Sequence, residues 1–148
     1  GLARMRDALI DAAAVLPGAP ELVPLPPSER VRADGQVVHI EHTEAVRIEV
    51  RRDAPIQVVL TGHYDTVFPA AHPFQKPWRK GDRLRGPGVA DMKGGLAVML
   101  AALEAFEALP GDKRVGYTVL MSPDEEIGSP ASAPLLADLG ARASRYDL

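Results

Sequence analysis

Cysteine is absent from the 148 residues, which excludes disulfides and thiolate metal sites while leaving the compartment open. No uninterrupted apolar run approaches the roughly 18–20 residues that span a bilayer. No secretory signal pattern is visible either. An excess of charge is also missing: 17 Lys and Arg stand against 20 Asp and Glu, a formal net charge of −3. That balance steers the chain toward neither nucleic acid nor an anionic membrane, so neither is expected as a partner. With no cysteine and no targeting signal, the expected location is the cytoplasm. Internal repeats and low-complexity segments are absent. What remains is 46% hydrophobic and 25% charged, the balance of a globular chain that can bury a core. Length alone suggests one domain, on a prior of roughly 100–200 residues per domain.

Residues 2–16 read as an amphipathic helix, with Leu2, Met5, Leu9, Ala12, Ala13 and Leu16 at helical spacing and Pro17-Gly18 as its stop. A proline-rich connector follows, with prolines at 17, 20, 24, 26 and 27. Strands are expected at 36–41 and 45–51, separated by a polar turn at His42-Thr43. A more apolar strand at 56–60 suits a central position covered on both faces. The stretch 65–82 reads as a long loop. A helix at 94–109 puts Leu96, Met99, Leu100, Leu103 and Phe106 on one face and ends at Pro110-Gly111. A strand at 117–121, a short helix at 134–139 and the start of a strand at 146–148 complete the pattern. Strand–helix–strand alternation predicts an α/β fold with a mostly parallel sheet flanked by helices.

Three polar clusters stand just past strand ends, where a parallel sheet places its site. They are Gly62-His63-Tyr64-Asp65, the segment from Gly86 to Gly95, and Asp124-Glu125-Glu126. Taken singly, each has an ordinary explanation. A histidine after a strand is usually a hydrogen-bonded loop residue, Asp65 a turn carboxylate, and Asp-Glu-Glu a solvated helix start. The glycine-rich segment fails the dinucleotide fingerprint, since Asp91 stands where a third Gly is needed, and it lacks the Gly-Lys-Ser/Thr of a phosphate loop. Taken together, they supply a metal site. His63 offers an imidazole, and Asp65 can fix its tautomer. Asp91 can bridge two cations and Glu126 can ligate one, while Glu125 is free to act as general base. Nitrogen and oxygen ligands without sulfur suit Zn²⁺, Mn²⁺ or Co²⁺ at a hydrolytic site.

Gly62-His63-Tyr64-Asp65-Thr66-Val67, Gly86-Pro87-Gly88-Val89-Ala90-Asp91-Met92-Lys93-Gly94-Gly95 and Asp124-Glu125-Glu126-Ile127-Gly128-Ser129 resemble, in order and spacing, the aminoacylase/glutamate-carboxypeptidase family of co-catalytic zinc exopeptidases. The resemblance implies that His63 is a ligand of one metal, Asp91 the bridge and Glu126 a ligand of the other. It makes Glu125 the general acid/base and Asp65 the carboxylate that orients His63. It also implies two Zn²⁺, or Co²⁺ or Mn²⁺, with a water activated between them, and a cis peptide at Asp91-Met92. The implied reaction is hydrolysis of a peptide or N-acyl amide bond, of carboxypeptidase or deacylase type. The implied substrate is a small peptide or N-acyl amino acid with a free carboxylate.

The family pattern requires two further ligands: an acidic residue about two dozen positions after the Glu pair, and a late histidine. Counting from Glu126 places the first just beyond Leu148. Residues 1–148 are therefore expected to form the N-terminal part of the catalytic domain. The lid and dimerisation domain and the rest of the catalytic domain are then absent, with a homodimer implied only through that lid. Asp138 and Asp147 are possible substitute acids, while His39, His42 and His72 read as ordinary strand or loop histidines. Such a fragment is expected to be inactive alone. The competing expectation is a non-catalytic truncated or interaction domain derived from the same family.

Overall fold

The computed structural model of the chain describes residues 1–111, 113–143 and 145–147, the last three through their backbone. Helix α1 (Leu2–Ala13) leads into strands β1 (Glu21–Val23), β2 (Ser28–Val31), β3 (Val37–Ile40), β4 (Ala45–Val50) and β5 (Ile56–His63). After β6 (Trp78–Lys80) and β7 (Arg83–Arg85) come α2 (Gly94–Ala108), β8 (Val115–Ser122), α3 (Ala133–Arg142) and β9 (Arg145–Asp147). Leu148, the last position of the expected final strand, lies outside the described residues.

Five strands form the main sheet in the order β1-β4-β8-β5-β9. The α/β reading holds, but the sheet is mixed rather than mostly parallel; the parallel pairings fall where helices supply the crossovers. Helix α2 links β5 to its parallel neighbour β8, and α3 links β8 to β9, which pairs parallel with the other edge of β5. The remaining half is antiparallel, β4 against β8 and β1 against β4: the short helix-free link from β4 to β5 reverses the chain, so β4 runs opposite to β5 and to its parallel neighbour β8. The expected strand at 36–41 pairs with a partner that was not foreseen. β3 runs antiparallel to β2 in a hairpin closed at Gly35, whose φ is 81°. The stretch at 65–82 likewise contains β6, which pairs with β7. Every residue of these two strands is exposed, so no burial periodicity marks them in the sequence.

The centre of the sheet is β8, buried from Gly116 to Ser122. Its side chains alternate between two cores, as strand geometry requires. Tyr117, Val119 and Met121 pack with Val46, Ile48 and Val50 of β4, with Leu96, Leu100 and Leu103 of α2, and with Leu9 and Ala13 of α1. Leu120 faces the opposite way, onto Ala45, Val59 and Leu139 of α3. The helical face expected on α2 is the one that meets the sheet. Burial of such side chains is worth about 1.5–3 kcal/mol each, and it locks β5 and β8 side by side. The register opposes His63 to Ser122, so both carboxyl ends finish at the same level.

Gly62 lets α2 approach this edge. A Cβ there would lie 2.5 Å from Leu96 Cδ2 and 3.1 Å from Met92 Cε, and Leu96 is 1% exposed with nowhere to swing. Gly62→Ala should therefore cost about 1–3 kcal/mol by overpacking, read as a lowered denaturation midpoint. An unchanged midpoint would show that α2 can move away without loss.

Candidate metal centre

His63 closes β5 and is 4% exposed. Its Nδ1 donates to Asp65 Oδ1 at 3.1 Å. Asp65 is also buried, and it does more than orient the ring. Oδ1 accepts the backbone N–H of Glu125 at 3.3 Å, and Oδ2 accepts that of Glu126 at 3.0 Å. One carboxylate thus sets the imidazole and the turn carrying both glutamates. The peptide after β5 adds a further tie, since Tyr64 N–H donates to Ser122 O at 2.9 Å. The Tyr64 ring is buried and its hydroxyl donates to Glu44 O at 2.5 Å; burial raises its pKa above the ordinary tyrosine range.

Asp91 comes from the turn Val89–Lys93 that precedes α2. The Asp91–Met92 peptide is cis, as the resemblance implies. Gly88 (φ 69°) allows the turn, and Lys93 N–H donates back to Gly88 O at 2.8 Å. Lys93 Nζ donates to Pro87 O at 3.2 Å, over the face of Gly88 where a Cβ would collide with it. Burial lowers the Lys93 pKa, opposed by the charges of Asp65 and Glu126.

Glu125 and Glu126 sit in the short 3₁₀ turn Glu125–Ile127 after β8. Asp124 shapes that loop from beneath. It is fully buried, and Oδ2 accepts the N–H groups of Ala131 and Ser132 at 2.8 and 3.0 Å. Glu125 and Asp91 stay open, with side chains 56% and 76% exposed, whereas the His63 side chain is 5% exposed. The imidazole is therefore the buried floor of the cluster and the carboxylates are its rim.

The structure brings all five expected residues together. His63 Nε2 lies 3.0 Å from Asp91 Oδ1 and 3.7 Å from Glu125 Oε2. One ligand atom from each of His63, Asp91 and Glu126 falls within 4.8 Å of the others. With Nδ1 donating to Asp65, Nε2 of the neutral ring carries a lone pair. A lone pair and a carboxylate oxygen at 3.0 Å repel unless a proton or a cation lies between them. Burial lowers the His63 pKa, but hydrogen bonding to Asp91 and the charges of Asp65, Glu125 and Asp91 outweigh it, so the net shift is upward. The donor set, one imidazole and two carboxylates without sulfur, fits a divalent cation of the zinc, manganese or cobalt type.

The other candidates fall elsewhere. Asp138 pairs with Arg142 at 2.5 Å on the exposed side of α3, and the side chain of Asp147 is outside the described residues. His42 Nε2 meets Ser28 Oγ at 2.8 Å, His39 lies 3.8 Å from Glu29, and His72 Nδ1 accepts Phe74 N–H at 3.1 Å. These are ordinary local partners. Sequence reasoning missed the supporting roles of Asp124 and Lys93, because both act through backbone groups that no spacing reveals.

Residues 59–148 match the model of peptidase family M20/M25/M40. Carboxypeptidase G2 of Pseudomonas sp. (strain RS-16) is 38% identical over 82 residues, which is 55% of this chain and 20% of that protein. A succinyl-diaminopimelate desuccinylase of Stenotrophomonas maltophilia (strain R551-3) is 42% identical over 79 residues, 49% of this chain and 20% of that protein. The crystal structure of human carnosine dipeptidase 1 superposes with a TM-score of 0.73 at 24% identity, over 98% of this chain and 32% of that one; at this identity the likeness is one of fold. The matched stretches thus span 20% of each of these two curated relatives. Among the described residues no helix is long and apolar enough to cross a membrane. With more than half of its length matched by the family model, this chain belongs to peptidase family M20/M25/M40.

Proposed function

We propose that residues 1–148 are the N-terminal part of the catalytic domain of a metal-dependent hydrolase that cleaves peptide or N-acyl amide bonds. The lid and the rest of the catalytic domain then lie outside these residues. The observation that carries this reading is the buried His63, with Nδ1 committed to Asp65 and Nε2 turned to Asp91 at 3.0 Å. His63 and Glu126 would each hold one divalent cation, with Asp91 between them. Two Zn²⁺ are the proposed pair, and Co²⁺ or Mn²⁺ also suit these donors. Such cations polarise a scissile carbonyl and acidify water near neutral pH.

The chain's own groups do the rest. Glu125, open to the cleft and 3.7 Å from His63 Nε2, takes the proton from the attacking water and passes it to the leaving amine nitrogen. Asp65 keeps His63 in the tautomer that presents Nε2, and it holds the backbone beneath both glutamates. Lys93 fixes the loop that carries Asp91. The proposed substrates are small peptides or N-acyl amino acids with a free carboxylate, a class that the similarity to a carboxypeptidase and a desuccinylase supports. A glutamate-carboxypeptidase-like preference, homodimerisation through the lid and a cytoplasmic location complete the proposal. Each cation would need one further ligand from outside residues 1–148, so the isolated chain is proposed to be inactive.

Two substitutions in the full-length protein test this assignment. Glu125→Gln should lower turnover of an N-acyl amino acid by about 10²–10⁴-fold, the usual worth of a positioned acid/base, with zinc content unchanged by elemental analysis. Retained turnover would remove Glu125 from the proton-transfer role. Asp65→Asn should weaken zinc binding about 10–100-fold in chelator competition, and an unchanged affinity would leave Asp65 without influence on the ligand.

A further inference from the structure

The hairpin of β2 and β3 takes no part in the chemistry described so far, yet it stands beside Glu126. Its register pairs Ser28 with Ile40 and Arg30 with Val38, whereas Glu29 pairs with His39. Directly opposed residues share a face, so Ser28, Arg30, Val38 and Ile40 lie on one side of the ribbon. Glu29 and His39 lie on the other, 3.8 Å apart. Ser28, Val38 and Ile40 are half-buried while Glu29 and His39 are exposed, so the first side is the one turned toward the protein, with Arg30 on it open to solvent. It faces the loop after β8 across an open cavity of about 420 Å³, lined by Ser28, Glu29, Arg30 and Ile40 of the hairpin and by Glu126, Ile127 and Pro130 of that loop. That volume falls within the range of small-molecule sites, about 300–1,000 Å³.

The lining has a definite polarity. Ile40, Ile127 and Pro130 make an apolar wall, and Ile127 is 52% exposed despite being a large aliphatic side chain. The Ser28 hydroxyl is engaged by His42. Arg30 is different: it makes no hydrogen bond or ion pair among the described residues. An arginine fork presents paired N–H groups that match a carboxylate. Of the two carboxylates on the lining, Glu29 has His39 beside it, and Glu126 belongs to the proposed metal centre.

We propose that this cavity is a substrate subsite, in which Arg30 receives a carboxylate at the end of a short aliphatic segment and Ile40, Ile127 and Pro130 contact that segment. The inference rests on the proposed metal centre, because Glu126 places one end of the cavity at the reactive position. Arg30 is a specificity residue: it selects substrates whose portion over Glu126 ends in an anion rather than in a methyl group or an amide. The hairpin, with few local features of its own, becomes a wall of the cleft.

Binding of simple acids separates this idea from the reaction itself. The zinc-loaded full-length protein would be titrated calorimetrically with dicarboxylates of four to six carbons and with monocarboxylates of the same lengths. Both series offer one carboxylate to the metal end, and only the first carries a second anion to Arg30. The unaltered protein should bind the best-fitting dicarboxylate about five- to tenfold more tightly than its monocarboxylate, the scale of a partly exposed ion pair. Arg30→Gln should abolish that ratio and leave the monocarboxylate affinity unchanged, while Arg30→Lys should keep part of it. No preference at any length, a ratio that survives Arg30→Gln, or an equal loss of both acids would each overturn the subsite. Absence of hydrolysis in a parallel assay would count against the proposed reaction alone, since the affinity ratio does not depend on turnover.

Discussion

A single buried carboxylate organises the centre. Asp65, 6% exposed, accepts from His63 Nδ1 and from the backbone N–H groups of Glu125 and Glu126. A carboxylate withdrawn from water is costly unless donors surround it, and these three donors come from two separate strand ends. Satisfying Asp65 therefore forces the loop after β5 and the loop after β8 to converge. Parallel pairing of β5 with β8 brings His63 level with Ser122, but on its own it would leave the two loops free to diverge. The position of Glu125 and Glu126 follows from Asp65, and the cleft follows from both.

Around that link the structure gathers charge of one sign. Asp91, Glu125 and Glu126 crowd His63, with Lys93 half-buried behind them and tied to Pro87 O. Stability alone gives no reason for such an arrangement, because like charges at short range repel. The surrounding packing sustains it: α2 is pressed onto β5 at Gly62, and the buried Asp124 braces the turn of the glutamates. This is the pattern expected when a rigid scaffold holds groups for a cation to bridge.

Much of the scaffold could be read in the residues because burial imprints a period. Helix α2 shows its sheet-facing side in Leu96, Leu100 and Leu103, and β8 shows a largely apolar, β-rich run from Tyr117 to Met121 because it is covered on both faces. The β6–β7 hairpin left no such imprint: all of its residues are exposed. For β3 the strand itself was legible and the partner was not, since pairing with β2 depends on the turn at Gly35 rather than on any hydrophobic face. The antiparallel half of the sheet was hidden for a related reason. Connections without a helix do not reveal which neighbour a strand will choose.

The chemistry of the site was legible in a different way. Histidine, aspartate and glutamate in three motifs, each past a strand, were enough to name His63, Asp65, Asp91, Glu125 and Glu126 as one set. Residue type is a local property, and the sequence by itself determined it. Only the tertiary structure decided that partners 28, 60 and 61 positions apart meet at 3.0–3.3 Å, that Asp65 serves backbone as well as imidazole, and that Arg30 shares a cavity with Glu126. Those distances arise from strand register, crossover packing and the need to satisfy buried polar groups, and all three are sums over contacts between residues far apart in the chain.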